Sequence, residues 1–222
     1  RNILADIRKK DIVKPRISKH MAKITDLGIL KQLINEIYNY KGNHNIKNAL
    51  KLVLHIPLRA ENLCNLKWNQ INFENKTLTI PRENMKLSNI NLDDFVMPLT
   101  DEVIKILKEH KDMQLFSIKP KEYVFLGFNN RQAINKESPN RALFRLGFND
   151  EKKGTKIRLH GFRGTFRSMI DTLDTKRKFS FEVKERALDH QEKSKVVRAY
   201  ANKSDYINQL IPLMNFWSDF IL

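Results

Sequence analysis

The chain has 222 residues, with 41 Lys+Arg against 25 Asp+Glu, a formal net charge of +16 and a pI near 9.9. Its 41% hydrophobic and 30% charged residues, with seven Gly and seven Pro, exclude collagen-like, low-complexity and disordered classes and leave enough chain to bury a core. One cysteine, Cys64, excludes a disulfide framework and a multi-cysteine zinc site and suits a reducing, cytoplasmic setting. No apolar run approaches the roughly eighteen residues of a membrane-spanning helix. These features lead to the expectation of a soluble, basic, intracellular domain with no secretory leader. Because the sequence opens on Arg1 rather than Met, it is expected to be part of a longer protein.

Residues 1–23 mix charge and apolar residues without a stable period, contain Pro15, and read as a linker or the tail of a preceding domain. A capping signal at Thr25–Asp26 opens a helix with Leu27, Leu30, Leu33, Ile34 and Ile37 on one stripe. Gly42 to Asn45 breaks it. A second helix carries Ile46, Leu50, Val53 and Leu54 and runs to Pro57, and a short third is expected over Asn62 to Trp68. The period then changes. Leu78 and Ile80 alternate with threonines, and Phe95, Val96 and Met97 form another apolar run, so 71–99 reads as a small antiparallel sheet around a polar, turn-like 82–93. Helix returns at Thr100 with Val103, Ile104 and Leu107. Tyr123 to Phe125 reads as a short buried segment. Ser138–Pro139 is a helix start, another helix begins near Gly161, and the remainder is mostly helical. The domain proper is expected over 24–222, with a C-terminal tail helix at about 207–222.

The positive charge is spread over 1–23, 76–86, 105–136, 152–167 and 176–198 rather than held in one tail. A folded surface that meets a polyanion, most often nucleic acid, accounts for that distribution better than a basic arm does. The six histidines form no H-E-x-x-H, and neither a P-loop nor a G-x-G-x-x-G is present, so no metal and no cofactor is implied. What remains is Arg, His, Lys and Tyr. These are the residue types needed to attack a phosphodiester without metal: a nucleophile, cations at the non-bridging oxygens, and an acid for the leaving oxygen.

The tightest motif is Leu159-His160-Gly161-Phe162-Arg163-Gly164-Thr165-Phe166-Arg167, in which His160 and Arg163 share one side of a helix. Upstream lies His55-Ile56-Pro57-Leu58-Arg59-Ala60-Glu61-Asn62-Leu63, and downstream lie Leu188-Asp189-His190 and Val197-Arg198-Ala199-Tyr200. As an ordered set, Arg…His-x-x-Arg…Leu-x-His…Tyr resembles the tyrosine recombinase (phage integrase) family. The Ala-Tyr pair and the closing Phe216-Trp217-Ser218-Asp219-Phe220 are similar to integrases of satellite phages and genomic islands.

The resemblance implies the α+β, mainly α-helical catalytic (DNA breaking-rejoining) fold with a small antiparallel sheet. It implies a site-specific recombinase that integrates or excises a mobile element through a 3′-phosphotyrosyl intermediate. In that reading Tyr200 is the nucleophile, Arg59 and Arg163 hold the phosphate, His160 and His190 assist proton transfer, and Lys86 is the acid, with Lys76 as its competitor. The alternatives are a DNA-binding module without catalysis and a type IB topoisomerase-like nicking-closing enzyme. The implied partners are double-stranded DNA, further protomers in a homo-tetramer on synapsed DNA with a monomer when free, and DNA-bending factors of the host or the element. Two departures stand out: Asn62 occupies the position where the family carries a carboxylate, and His160 to His190 is longer than usual, with the extra length assigned to a loop at 174–178.

The spread charge gives the first testable outcome. Binding to duplex DNA should weaken steeply with salt, log K falling by about 0.9 per decade of salt for each phosphate contacted, as measured by anisotropy titration from low to physiological ionic strength. A slope near zero would separate the basic surface from DNA.

Overall fold

The structure is a computed structural model that describes residues 21–85, 92–115, 121–129, 131–190 and 203–222. Helix α1 (Leu27–Tyr38) starts where the Asp26 carboxylate accepts from the Ile29 amide, and it buries Leu30, Leu33 and Ile37. Helix α2 (His44–His55) is capped by Asn43 and is the most enclosed element, with apolar residues buried around most of its circumference. The third helix, α3, spans Ala60–Cys64 rather than Asn62 to Trp68. It begins where Arg59 leaves extended geometry, and its chain turns out at Asn65, so that Leu66 can accept from the Val124 amide and Trp68 donate to Glu122. A single 3-10 turn at Trp68–Gln70 follows.

The sheet has the order β1-β2-β3 (Ile71–Asn72, Thr77–Ile80, Phe95–Pro98) and is antiparallel throughout. Leu78 pairs with Met97 and Ile80 with Phe95, which places all four on the buried face, while Thr77 and Thr79 point the other way. Pro98 is accommodated because β3 is an edge strand. Helices α4 (Asp101–Leu115), α5 (Glu137–Arg145), α6 (Gly161–Leu173), α7 (Phe181–Ala187) and α8 (Lys203–Ile221) complete the described residues. One apolar core joins α1 through α8 and the inner sheet face.

Residues preceding α1 lie across the start of α6. The Ile24 amide donates to Thr165 Oγ1 at 2.9 Å, and Lys23 Nζ reaches Ser168 at 2.7 Å. A Cβ at position 161 would sit 2.3 Å from the Ala22 carbonyl oxygen, so Gly161 is what lets the 22–24 segment pass. The tail helix α8 packs on its own chain, burying Leu210, Leu213, Met214, Trp217 and Ile221. Trp217 stacks edge-on against Phe166 and donates Nε1–H to the Leu54 carbonyl at 2.6 Å, satisfying an orphan acceptor in the last turn of α2.

Two histidines are locked in this interior. His55 lies between the Tyr38 hydroxyl and Ser218 Oγ, each 2.8 Å away, and Ser218 continues to Thr100 at 3.0 Å. His110 Nε2 donates to the Val124 carbonyl at 2.7 Å, which leaves Nδ1 to accept from Asn48 at 2.9 Å. Burial, aided by Lys51 at His55, holds both imidazoles down to about 4. The unfolded chain takes up protons near the ordinary 6.5 that the folded chain refuses until about 4. Their contribution is therefore complete above the unfolded value and lost as pH falls from about 6.5 toward about 4, up to about 3 kcal/mol each. Urea midpoints at mildly acidic and neutral pH should show that fall, and His55→Gln should reduce its slope by roughly half.

Candidate functional site

The site is assembled where three segments meet: the start of α3, the first turn of α6 and the end of α7. Arg163, in the first turn of α6, is 7% exposed, and its guanidinium bridges the other two segments. Nη1 donates to the Pro57 carbonyl at 2.9 Å and Nη2 to the Leu188 carbonyl at 2.5 Å. Burial, and then the neighbouring Arg59, lower its pKa to about 10, with Asp189 and Glu185 acting in the opposite sense. Two guanidiniums close enough to repel are thus held together by the fold, an arrangement suited to receiving an anion.

Arg59, the N-cap residue of α3, donates Nη1–H to Asp189 at 2.8 Å. The same carboxylate accepts from Arg82 Nη1 and Nη2, both at 3.0 Å, and is itself 2% exposed. Arg82 was not among the residues singled out from sequence. It follows β2 directly, is 6% exposed, and also closes the base of the β2–β3 connection through the Asp93 carbonyl at 2.6 Å and the Asp94 side chain at 2.8 Å. Asn62 donates to the Asn84 carbonyl at 3.0 Å, tying α3 to that connection. Its amide does what a carboxylate could not, since the Asn84 carbonyl needs a donor.

The end of α7 sets His190. The Asp189 amide donates to the Arg186 carbonyl and the His190 amide to the Glu185 carbonyl, the paired bonds of a helix terminus that turns through a left-handed residue, here Asp189 at φ 52°. The turn aims the His190 ring at Arg163, whose Nη2 lies 3.3 Å from Nε2. Glu185 holds the other nitrogen, Nδ1, at 2.6 Å. A guanidinium only donates, so Nε2 is the acceptor, and the ring proton resides on Nδ1. Burial alone would raise the Glu185 carboxyl. Bonds from Arg167, at 2.6 Å, and from His190 outweigh it and hold the group below its ordinary value. Arg167 also pairs with Asp171, and Lys184 bridges Asp171 and Asp174 at 3.1 and 3.0 Å, so the brace extends behind the site into the 174–180 connection.

His160 stands exposed at the N-cap of α6 with helical backbone angles, which keeps it on the same side of the helix end as Arg163. The structure therefore gathers Arg59, Arg163 and His190, while His160 stands at the N-cap of the helix that carries Arg163. Lys86 and Tyr200 lie outside the described residues. The competitor Lys76 sits in the β1–β2 turn and is paired at 2.6 Å with Asp101 on the surface. Tyr206, on α8, has the Arg186 guanidinium over its ring at 4.9 Å. Cys64 is buried, and burial, then Glu61, push its thiol up to about 12, which removes it as a nucleophile. Among the described residues no cluster of His, Cys, Asp and Glu could hold a metal ion, and no helix is long and apolar enough to cross a membrane.

Sequence reasoning passed over Arg82 and Asp189 because their partners are distant in the chain, and over Glu185 because its bonds to His190 and Arg167 depend on how α6 and α7 pack. The available signal was Asp189 itself, an acidic residue directly before His190 at a helix end.

Residues 28–206 match the family model described as Phage integrase family. Among curated proteins, the chain is similar to prophage integrase IntA of Escherichia coli (strain K12), 31% identical over 156 residues that cover 70% of this chain and 33% of that protein. It is also similar to the integrase of Enterobacteria phage P4, 24% identical over 191 residues covering 82% and 41%. The chain spans about a third to two fifths of the length of these relatives. Among solved structures it is similar to XerA recombinase, with a TM-score of 0.57 at 15% identity over 91% of this chain and 67% of that one. It is likewise similar to the Tn1549 transposon integrase in complex with transposon right end DNA, with a TM-score of 0.59 at 15% identity over 91% and 68%.

The bridging role of Arg163 has a measurable consequence. Arg163→Met keeps the apolar stem but leaves two buried carbonyls without donors, and should cost about 2–4 kcal/mol in urea unfolding. Arg59→Met should cost less, about 1 kcal/mol, because Asp189 keeps its bonds to Arg82.

Proposed function

Because this chain belongs to the phage integrase family of tyrosine recombinases, we propose that it is the catalytic part of a site-specific DNA recombinase that cleaves and rejoins strands through a 3′-phosphotyrosyl intermediate. Its α+β, mainly helical fold with a three-stranded antiparallel sheet is that of tyrosine recombinase catalytic domains. The observation that carries the proposal is the convergence of Arg59 and Arg163 beside His190, three side chains from separate segments whose chemistry suits an anion with proton transfer nearby.

In this reading Tyr200 Oη attacks the scissile phosphorus, a new P–O bond forms, and the bond to the 5′ oxygen breaks. Arg59 and Arg163 neutralise the charge that builds on the non-bridging oxygens. His190, whose ring lies against Arg163, and His160 at the helix end serve the nucleophile's proton and the oxygens. Lys86 supplies the proton to the departing 5′ oxygen. Support for Lys86 comes from Arg82, whose bonds to Asp189 draw the base of the β2–β3 connection to the arginines, four residues before Lys86 in sequence. A free tyrosine ionises near pH 10, so the attack depends on neighbouring cations to share the developing charge.

The Tn1549 integrase is solved with transposon end DNA, which supports double-stranded DNA as partner. We assign the chain to a homo-tetramer on synapsed DNA, assisted by DNA-bending factors, with integration or excision of a mobile element as the outcome.

The experiment uses a pool of nicked duplexes with randomised sequence around the nick, so that the short strand released on cleavage diffuses away and traps covalent protein. The parent chain should form an adduct at the 3′ end. Tyr200→Phe should bind DNA but form none, whereas Tyr206→Phe, whose ring packs under Arg186, should retain adduct formation within about threefold. A Tyr200→Phe protein still linked to DNA would overturn the assignment.

A further inference from the structure

The residue between Leu188 and His190 stands at a backbone position that favours glycine. Its φ of 52° lies in the left-handed region, and it follows the C-cap residue Leu188 in the turn that ends α7. Asp189 occupies it at a conformational cost, and what it gains is a carboxylate 2% exposed among arginines. That carboxylate accepts from Arg59 Nη1 at 2.8 Å and from Arg82 through both terminal nitrogens. The helix that Arg59 opens contributes no comparable brace: Glu61 pairs with Asn65, and Asn62 is spent on the Asn84 carbonyl.

We propose that Asp189 is the positioning residue for the phosphate-binding arginines, a role that rests on the recombinase reading above. By fixing Nη1 of Arg59 it sets the plane of that guanidinium and leaves its other edge for a phosphate oxygen. By also fixing Arg82 it holds the base of the β2–β3 connection in register with the cradle. Its negative charge offsets the repulsion among Arg59, Arg82 and Arg163, which would otherwise drive the more exposed Arg59 outward. The same turn that seats Asp189 seats His190, so one local structure places the brace and the imidazole together.

The test compares the parent chain with Asp189→Asn, which keeps shape and removes charge, and Asp189→Gly, which suits the left-handed backbone. Each is given the nicked duplex pool with an ordinary scissile phosphodiester and the same pool with a neutral methylphosphonate there. The methylphosphonate lacks the charge that the arginines neutralise, so a defect in arginine placement should vanish on it, whereas general misfolding should not. Both variants should bind DNA within about threefold of the parent, form adduct on the phosphodiester about 10–100-fold more slowly, and match the parent on the methylphosphonate.

Adduct formation equal to the parent's on the phosphodiester would overturn the proposal. A faster rate would do so too, showing that the carboxylate competes with the phosphate for its arginines. Equal losses on both substrates, or failure of both variants to fold, would make Asp189 a structural residue only. If the parent chain itself forms no adduct while binding the pool, it is the recombinase reading that fails, and the inference with it.

Discussion

The burial of one guanidinium organises the site. A charged group taken out of water must find donors' counterparts or leave, and Arg163 finds them in two backbone carbonyls, those of Pro57 and Leu188. Each carbonyl stands next to a segment that carries the chemistry: Pro57 lies just before Arg59, and Leu188 just before Asp189 and His190. Closing those two bonds therefore fixes three distant parts of the chain against one another. Burial, and then Arg59, lower the pKa of Arg163, yet at about 10 the group remains charged at neutral pH.

Around it, acidic side chains serve as braces rather than as surface balance. Asp189 holds Arg59 and Arg82, Glu185 holds His190 and Arg167, and Asp171 with Asp174 holds Lys184. Asp189 and Asp174 lie buried together with Arg82, Arg163 and Lys184, so each buried carboxylate is matched by a buried cation. On a chain of net charge +16, the guanidinium of Arg59 is thus oriented by its carboxylate before any anion arrives.

Another part of the interior is held by neutral chemistry. Tyr38, His55, Ser218 and Thr100 form a hydrogen-bonded chain that joins α1, α2, α8 and the start of α4 without a buried ion, and Trp217 plugs the last turn of α2. Neutral bonds of this kind avoid the desolvation penalty that the site accepts at Arg163. The tail helix is thereby tied to the same helix whose continuation, through Pro57, supports the arginines.

Much of this was legible in the sequence. Asp26 as a cap, the Leu30–Leu33–Ile37 stripe, the alternation at Leu78 and Ile80 and the helix from Gly161 are local signals, governed by a period of 3.6 or 2 that any window of sequence displays. The ordered Arg59, His160, Arg163, His190 set was equally visible, because each member sits in its own short motif. The third helix was misplaced, since its limits depend on Leu66 and Trp68 bonding to residues 122–124, and no local pattern reports such a bond. For the same reason Arg82, Glu185 and Asp189 emerged only with the tertiary structure. A lysine or arginine in a polar turn looks solvated until the fold brings a buried carboxylate to it from 107 residues away. Sequence determined which residues could do the chemistry; only folding, by forcing buried charges to find partners, decided which residues hold them in place.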